Sequence, residues 1–226
     1  MMGRRKRRHV VLMGAPGAGK GTQAERLAAV EGLCRISTGD LLRAAVGEGS
    51  DLGKLAEGYM TRGELVPDAL MLDLVAEQLE RPECDRGAVY DGFPRTVDQA
   101  RGLEAMLEAR GEAVDQVVLI DVPEERLVER LAGRRVCKNC GKLYHISFDP
   151  PRQAGVCDVC GGELVQRKDD RPETIRRRLA VHRRETEPVL AFYAQRPGVT
   201  VVSGDRGIEE VAASIRRRLA AVESGA

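Results

Sequence analysis

The sequence predicts an α/β fold, a parallel sheet flanked by helices on both faces, interrupted by two insertions. Three observations predict it. Short apolar runs of strand character alternate with longer segments of helical spacing. A glycine-rich turn ending in lysine, Gly14-Ala-Pro-Gly-Ala-Gly-Lys-Gly-Thr22, follows the first of those runs directly. Two stretches, one helical and one carrying paired cysteines, break the alternation.

Strands are expected at 10–13, 35–37, 88–90, 117–120 and 199–202. Helices are expected at 22–30, 69–79, 97–107, 124–131, 175–193 and 208–222; in the second of these Leu70, Leu74 and Val75 share a face. Gly32, Gly63 and Gly111 follow helical runs, and Pro123 opens one. The segment 37–66 has helical pieces and no strand. The segment 133–170 has turns and short β-like pieces at 142–145 and 163–166. Both read as insertions into one core made of 1–36, 67–132 and 171–226, with no internal repeat or low-complexity linker.

The turn at 14–22 has the context of a phosphate-binding loop. Glycines keep it free of Cβ atoms, so the N–H groups around Gly17, Ala18, Gly19 and Gly21 can converge on phosphate oxygens. The positive end of the next helix favours the anion, and the Lys20 ammonium spans the outer phosphates. The general pattern places Ser or Thr straight after the lysine. Here Gly21 intervenes, so Thr22 is expected to reach a phosphate rather than a metal. The loop implies a nucleoside triphosphate.

Composition excludes several partners. The chain has 226 residues, 31% of them charged, yet a net charge of only +1, which argues against generic binding to nucleic acid or an anionic membrane. Aromatics are 3% and Trp is absent, so base-stacking platforms are not expected. No apolar run approaches the ~20 residues of a membrane span, and the basic start at 3–9 lacks a cleavage site, so it reads as a frayed extension on a cytoplasmic protein.

Cys137-Lys-Asn-Cys140-Gly and Cys157-Asp-Val-Cys160-Gly form two Cys-x-x-Cys knuckles. At this separation they can place four thiolates around one ion, and four soft ligands with no open position describe a structural zinc site. The segment has little core of its own, so the metal would supply its folding energy. Two local disulfides, a redox pair and a zinc ribbon that binds nucleic acid are the competing readings. Cys34 and Cys84 have no spaced partner and read as ordinary thiols.

Asp91 ends the third strand and is placed to bind hydrated Mg²⁺ beside the phosphate loop; a helix-capping role is the alternative. Arg95 lies just beyond it, and Ser37-Thr-Gly-Asp-Leu-Leu-Arg43 carries another arginine toward the same crevice. Arg130, Arg134, Arg135, Arg167, Arg171 and Arg178 gather at the borders of the second insertion, where guanidinium groups can take a phosphate by two donors.

With the loop at 14–22, Ser37–Arg43, Asp91–Thr96, Gly133-Arg-Arg135 and Arg167-Lys-Asp-Asp170 followed by Arg178, the chain resembles the adenylate kinases over about 9–222. The cysteine insertion resembles the long zinc-bearing, zinc-ribbon-like lid of many bacterial members. The resemblance implies ATP + AMP ⇌ 2 ADP with Mg²⁺, in a monomer whose partners are those nucleotides. It assigns Lys20 to the ATP phosphates, Arg43 and Arg95 to the AMP phosphate, and Arg134, Arg167 and Arg178 to the transferring phosphoryl group. Arg130 would pack over the ATP adenine with the region of Arg206 opposite. Gln99 would read the AMP base in a pocket with Thr38, Val66 and Gly92, and Asp91 would hold Mg²⁺ through water. Rival readings are a UMP or CMP kinase, a kinase using GTP as donor, or, from another class, a zinc-ribbon NTPase.

Overall fold

The computed structural model describes residues 7–194, 196 and 198–223. The chain runs β1 (Arg8–Met13), α1 (Lys20–Glu31), β2 (Cys34–Ser37), α2 (Thr38–Glu48), α3 (Asp51–Arg62) and α4 (Asp68–Leu79). It continues through β3 (Gly87–Asp91), α5 (Val97–Glu108), β4 (Gln116–Asp121) and α6 (Glu124–Gly133) into three short strands, β5 (Arg134–Cys137), β6 (Leu143–His145) and β7 (Leu164–Val165). It then closes with α7 (Pro172–Val181), α8 (Glu187–Ala194), β8 (Val199–Ser203) and α9 (Ile208–Glu223).

Five strands form a parallel sheet in the order β2-β3-β1-β4-β8. The period-2 alternation of β1 divides the core in two. Val10 and Leu12 join Leu27, Leu131, Ile175 and Ile215, from α1, α6, α7 and α9. Val11 and Met13 join Val75, Leu103, Leu107 and Tyr193, from α4, α5 and α8. Because β1 sits between β3 and β4, successive connections diverge there, and the crevice at the strands' C-terminal ends is where such sheets take ligands.

The expected boundaries are met closely. Gly32 and Gly63 close α1 and α3 in the left-handed conformation, and Glu124 starts α6 behind Pro123. Thr96 caps α5 by accepting from the Gln99 N–H at 3.0 Å. The segment 175–193 departs from its expectation of one helix: a π-turn at His182–Thr186 joins α7 to α8, and the Thr186 hydroxyl donates to the Arg95 carbonyl at 3.0 Å. The segment 37–66 holds α2 and α3. The cysteine segment is a small antiparallel sheet, β6-β5-β7, whose buried cluster is only Cys137, Tyr144, Cys157 and Leu164.

Two expectations are corrected. Of the basic start, residues 1–6 lie outside the described residues, but Arg7, Arg8 and His9 belong to the fold. Arg7 pairs with Asp85 and Glu112, and Arg8 donates to Glu31 and Gln116. His9 is buried between the Tyr90 hydroxyl and Glu112, each at 2.9 Å. Acidic groups at the end of the sheet away from the phosphate loop hold the two arginines. Cys34 and Cys84 are not free thiols: a disulfide joins them across 50 residues, because β2 and the turn before β3 bring their Cα atoms to 4.9 Å.

Candidate active site

Gly19 offers α1 no capping side chain, so the helix's first amides are left for a ligand at the end of β1. The Lys20 ammonium turns back on its own loop and donates to the carbonyls of Gly14 (2.7 Å) and Ala15 (3.0 Å). Burial lowers its pKa to about 7; Asp91 opposes that shift, while Arg95, Arg178 and Arg134 add to it. The register of β1 with β3 sets Leu12 opposite Asp91, and that of β2 with β3 sets Ser37 opposite Asp91. The Asp91 carboxylate therefore stands at the mouth of the loop. It accepts from Ser37 Oγ (3.1 Å) and Arg35 (2.9 Å). A Cβ at Gly21, the residue out of place against the general loop pattern, would lie 3.2 Å from Asp91 Oδ2, a tight contact with the end of that side chain.

A cavity of about 560 Å³ opens from this point. Gly17, Ala18, Gly19, Lys20, Gly21 and Thr22 line one side, and Asp91, Arg95, Arg134, Arg167 and Arg178 face them. At its outer end Arg130 donates to the Gly204 carbonyl at 2.9 Å, with Arg206 lining the cavity beside it. A smaller recess leads off between α2, α3 and α5. Thr38, Arg43, Val66, Gly92, Arg95, Gln99 and Arg178 line it, and of these Arg43, Gly92, Arg95 and Arg178 line the large cavity too. The Gly92 carbonyl accepts from Thr38 Oγ1 (2.9 Å) and Arg95 Nε (2.8 Å). Only glycine fits there: φ is +75°, and a Cβ would lie 3.1 Å from the Arg95 guanidinium. The Gln99 amide is already committed, donating to Asp68 at 2.7 Å and accepting from the Arg95 N–H at 2.7 Å.

Carboxylates hold the arginines in place. Asp170, fully buried, takes Arg134 by two donors and Arg178 by one. Arg178 also reaches Asp169 at 3.0 Å. Asp40 pairs with Arg43 and Arg35 and lies 3.8 Å from Arg167. Burial pushes the Asp40 pKa up, but Arg43 and Arg35 outweigh it and hold the group at about 2. Burial lowers Arg95 to about 10 and Arg167 to about 9, and neighbouring cations contribute to both shifts. Arg167 Nε is buried with no partner. The cavity is thus a concentration of desolvated positive charge that an anion would relieve.

Not every arginine at the borders enters it. Arg135 turns its guanidinium to the carbonyls of Ala132 and Arg134, and Arg171 is exposed. Sequence reading missed other groups that do. His145 and Phe148 stack at 4.4 Å, Arg126 lies over the Phe148 ring, and all three line the large cavity near Arg130. His182 lines a further recess with Lys20 and Arg95, its pKa lowered to about 4 by burial and by those two cations. The acidic partners Asp40 and Asp169 were legible only as members of motifs, and Asp68 lies in none of them.

The four cysteines at 137, 140, 157 and 160 bring their sulfurs within 4.8 Å of one another. The two knuckles repeat the same hydrogen bonds. Cys137 N–H donates to Lys142 O and Gly141 N–H to Cys137 O; Cys157 N–H donates to Gly162 O and Gly161 N–H to Cys157 O. Zinc–sulfur bonds of about 2.3 Å in a tetrahedron put sulfurs about 3.8 Å apart, and the four sulfurs, with two pairs at 3.4 and 3.6 Å and all within 4.8 Å, bracket that spacing. The Tyr144 hydroxyl accepts from the Asp158 N–H and lies 3.5 Å from Cys157 Sγ, where it lowers that thiol to about 6. Among the described residues, no helix is long and apolar enough to cross a membrane.

Comparison with known proteins agrees with this geometry. The family model for adenylate kinase matches residues 12–197. An adenylate kinase of Symbiobacterium thermophilum is 51% identical over 213 residues, 94% of this chain and 99% of its own. One from a Geobacillus species is 49% identical over 215 residues, 95% and 100% of the two chains. One from Archaeoglobus fulgidus is 45% identical over 216 residues, 96% and 100%. Sheet order, phosphate loop, arginine-lined cavity and full-length similarity agree, and the chain belongs to the adenylate kinase family.

Proposed function

We propose that this member of the adenylate kinase family transfers the terminal phosphoryl group of ATP to AMP, giving two ADP, across the junction of the large cavity and its recess. The observation that carries this reading is that Arg95 and Arg178 border both spaces, so two phosphates entering from opposite sides meet at the same guanidinium groups. The acceptor is already an anion, so no general base is needed. The work lies in cancelling repulsion between phosphates, aligning them and keeping water out.

In this reading the core is 1–36, 67–132 and 171–226, the segment 37–66 takes the monophosphate, and 133–170 is the lid. Gly17, Ala18, Gly19, Gly21 and Thr22 hold the ATP phosphates with Lys20, which leaves its loop carbonyls for them. The adenine lies against Arg130, near Arg206. Thr38, Val66, Gly92 and Gln99 form the AMP pocket, with Arg43 and Arg95 on its phosphate. Arg134, Arg167 and Arg178 donate to the transferring group and closure of the lid removes water. Asp91 would hold Mg²⁺ through water. When bound, the ion neutralises charge on the donor phosphates. Cys137, Cys140, Cys157 and Cys160 hold zinc, which fixes the lid's fold and takes no part in the chemistry. The protein works as a cytoplasmic monomer on free nucleotides, without nucleic acid or membrane.

Mixing the protein with Mg·ATP and each of AMP, UMP, CMP and GMP, followed by ³¹P NMR, tests the reading. ADP appears only with AMP and without free phosphate. Turnover of another monophosphate would overturn the roles of Thr38 and Gln99, and phosphate release without any acceptor would mean an NTPase.

A further inference from the structure

Arg35 has no part in the reading above, yet it stands at its centre. One terminal nitrogen of its guanidinium donates both to Asp91 Oδ2 (2.9 Å) and to Asp40 Oδ2 (2.7 Å). Its Nε is buried and has no partner, so among the described residues the two carboxylates hold the group. The sheet dictates this position. Arg35 lies on β2 two residues before Ser37, which is in register with Asp91, and Asp40 lies on the first turn of α2. The side chain lines the large cavity beside Gly21 and Thr22.

The same nitrogen thus joins two acids of the large cavity, one of which, Asp40, holds an arginine that also lines the recess. Asp91 stands at the phosphate loop; Asp40 also pairs with Arg43 and lies 3.8 Å from Arg167. A chain of alternating charges, Asp91–Arg35–Asp40–Arg43, runs from one cavity to the other. Resting on the assignment of Asp91 to Mg²⁺, we propose that Arg35 is a positioning residue, the counter-ion of Asp91 until the cation arrives, which then passes to Asp40 and frees Arg43 for the monophosphate.

The physical argument is charge balance. A divalent ion near Asp91 repels a guanidinium that sits 2.9 Å from the same carboxylate, so the two compete. Asp40 is the only other acid that Arg35 contacts among the described residues. Drawing Arg35 wholly onto Asp40 weakens the hold of Asp40 on Arg43. Metal binding and monophosphate binding are then coupled, and the coupling must be reciprocal.

The test is direct metal binding rather than turnover. Mn²⁺ is titrated into the full-length protein saturated with a non-hydrolysable ATP analogue, and the free ion is read by its paramagnetic resonance. Arg35→Gln binds Mn²⁺ about tenfold more tightly than the parent protein, since it removes a competing positive charge. Asp40→Asn, which leaves Arg35 to Asp91 alone, binds it several-fold more weakly. Loss of structure would weaken both and so cannot imitate opposite signs. By calorimetry, Mn²⁺ tightens AMP binding in the parent protein, and that gain disappears in Arg35→Gln. Unchanged or weaker Mn²⁺ binding in Arg35→Gln overturns the proposal. Asp91→Asn separates the two levels: if it leaves Mn²⁺ affinity unchanged, the metal role of Asp91 itself fails. If it weakens binding while Arg35→Gln fails to tighten it, only the role of Arg35 fails.

Discussion

The buried carboxylate of Asp170 grips Arg134 by two hydrogen bonds, 2.8 Å from Nε and 2.6 Å from the terminal nitrogen, and takes Arg178 on the same Oδ1 at 2.9 Å. One acid thus sets the spacing of two guanidinium groups contributed by different elements, β5 and α7. Arginine forks aim well only when the stem is held, and entropy spreads an unheld one over many rotamers. Asp170→Asn keeps the shape and removes the charge. It is expected to lower kcat by roughly 10²-fold with a smaller change in KM, because misplaced donors are felt most in the transition state. Steady-state kinetics on the folded variant checks this, and a change confined to KM would show that Asp170 serves nucleotide binding instead.

Arg178, like Arg43 and Arg95, borders both cavities. Removing one donor to a developing anion costs on the order of 10²–10³ in rate. Arg178→Ala is expected to lose that much kcat while its melting temperature stays close to that of the parent protein. Arg178→Lys is expected to recover little, since an ammonium cannot reproduce the planar fork. Full activity in either variant would remove Arg178 from the transfer step.

Lys20 makes a prediction about protons. Burial holds its pKa at about 7 in the free protein, and an anionic phosphate beside it favours the charged form and raises that value. Binding of Mg·ATP therefore takes up protons wherever the free amine is neutral. At pH 8 uptake approaches one proton per site, and below about pH 6, where Lys20 is already charged, it vanishes. Calorimetry in buffers of different ionisation enthalpy measures it directly. Lys20→Met should bind without uptake at pH 8.

Much of this was legible because the signals were local. Strand runs, glycine stops at Gly32 and Gly63 and the loop at 14–22 each depend on neighbours in sequence, and the two knuckles depend on spacing alone. What escaped depends on register. Nothing near Arg35 in sequence announces that Asp91, 56 residues away, will be its partner; the pairing of β2 with β3 decides it. Cys34 and Cys84 looked unpaired for the same reason. His145 falls in the short β-piece expected at 142–145 and Phe148 just beyond it, and their place in the cavity lining appears only once the cysteine segment is set beside the phosphate loop. The π-turn at His182–Thr186 interrupts a run whose apolar spacing is otherwise that of one helix.

The cysteine segment has almost no core besides its own sulfur ligands, Tyr144 and Leu164. Its order is then expected to depend on a bound ion, at one zinc per chain. Stripping it with a thiolate-reactive agent should abolish protection of 133–170 from proteolysis and lower kcat, while the parallel sheet persists by circular dichroism. Cys157→Ser should behave as the stripped protein does. Active protein without stoichiometric metal would show that the knuckles hold this segment by other means.

The bridge between Cys34 and Cys84 closes a loop of 50 residues that contains α2, α3 and α4. It joins the sheet at the ends of β2 and β3 remote from the phosphate loop, so its contribution is to stability and not to chemistry. Chain entropy gives a loop of that length about 4 kcal/mol, less whatever structure the reduced unfolded chain retains. Thiol titration of the denatured, metal-free protein should find four groups before reduction and six after it, matching the four free cysteines. Cys34→Ser/Cys84→Ser is expected to melt several degrees lower than the bridged protein, with unchanged kcat and KM. Six thiols before reduction would show that the bridge does not form, and the double variant should then melt with the parent.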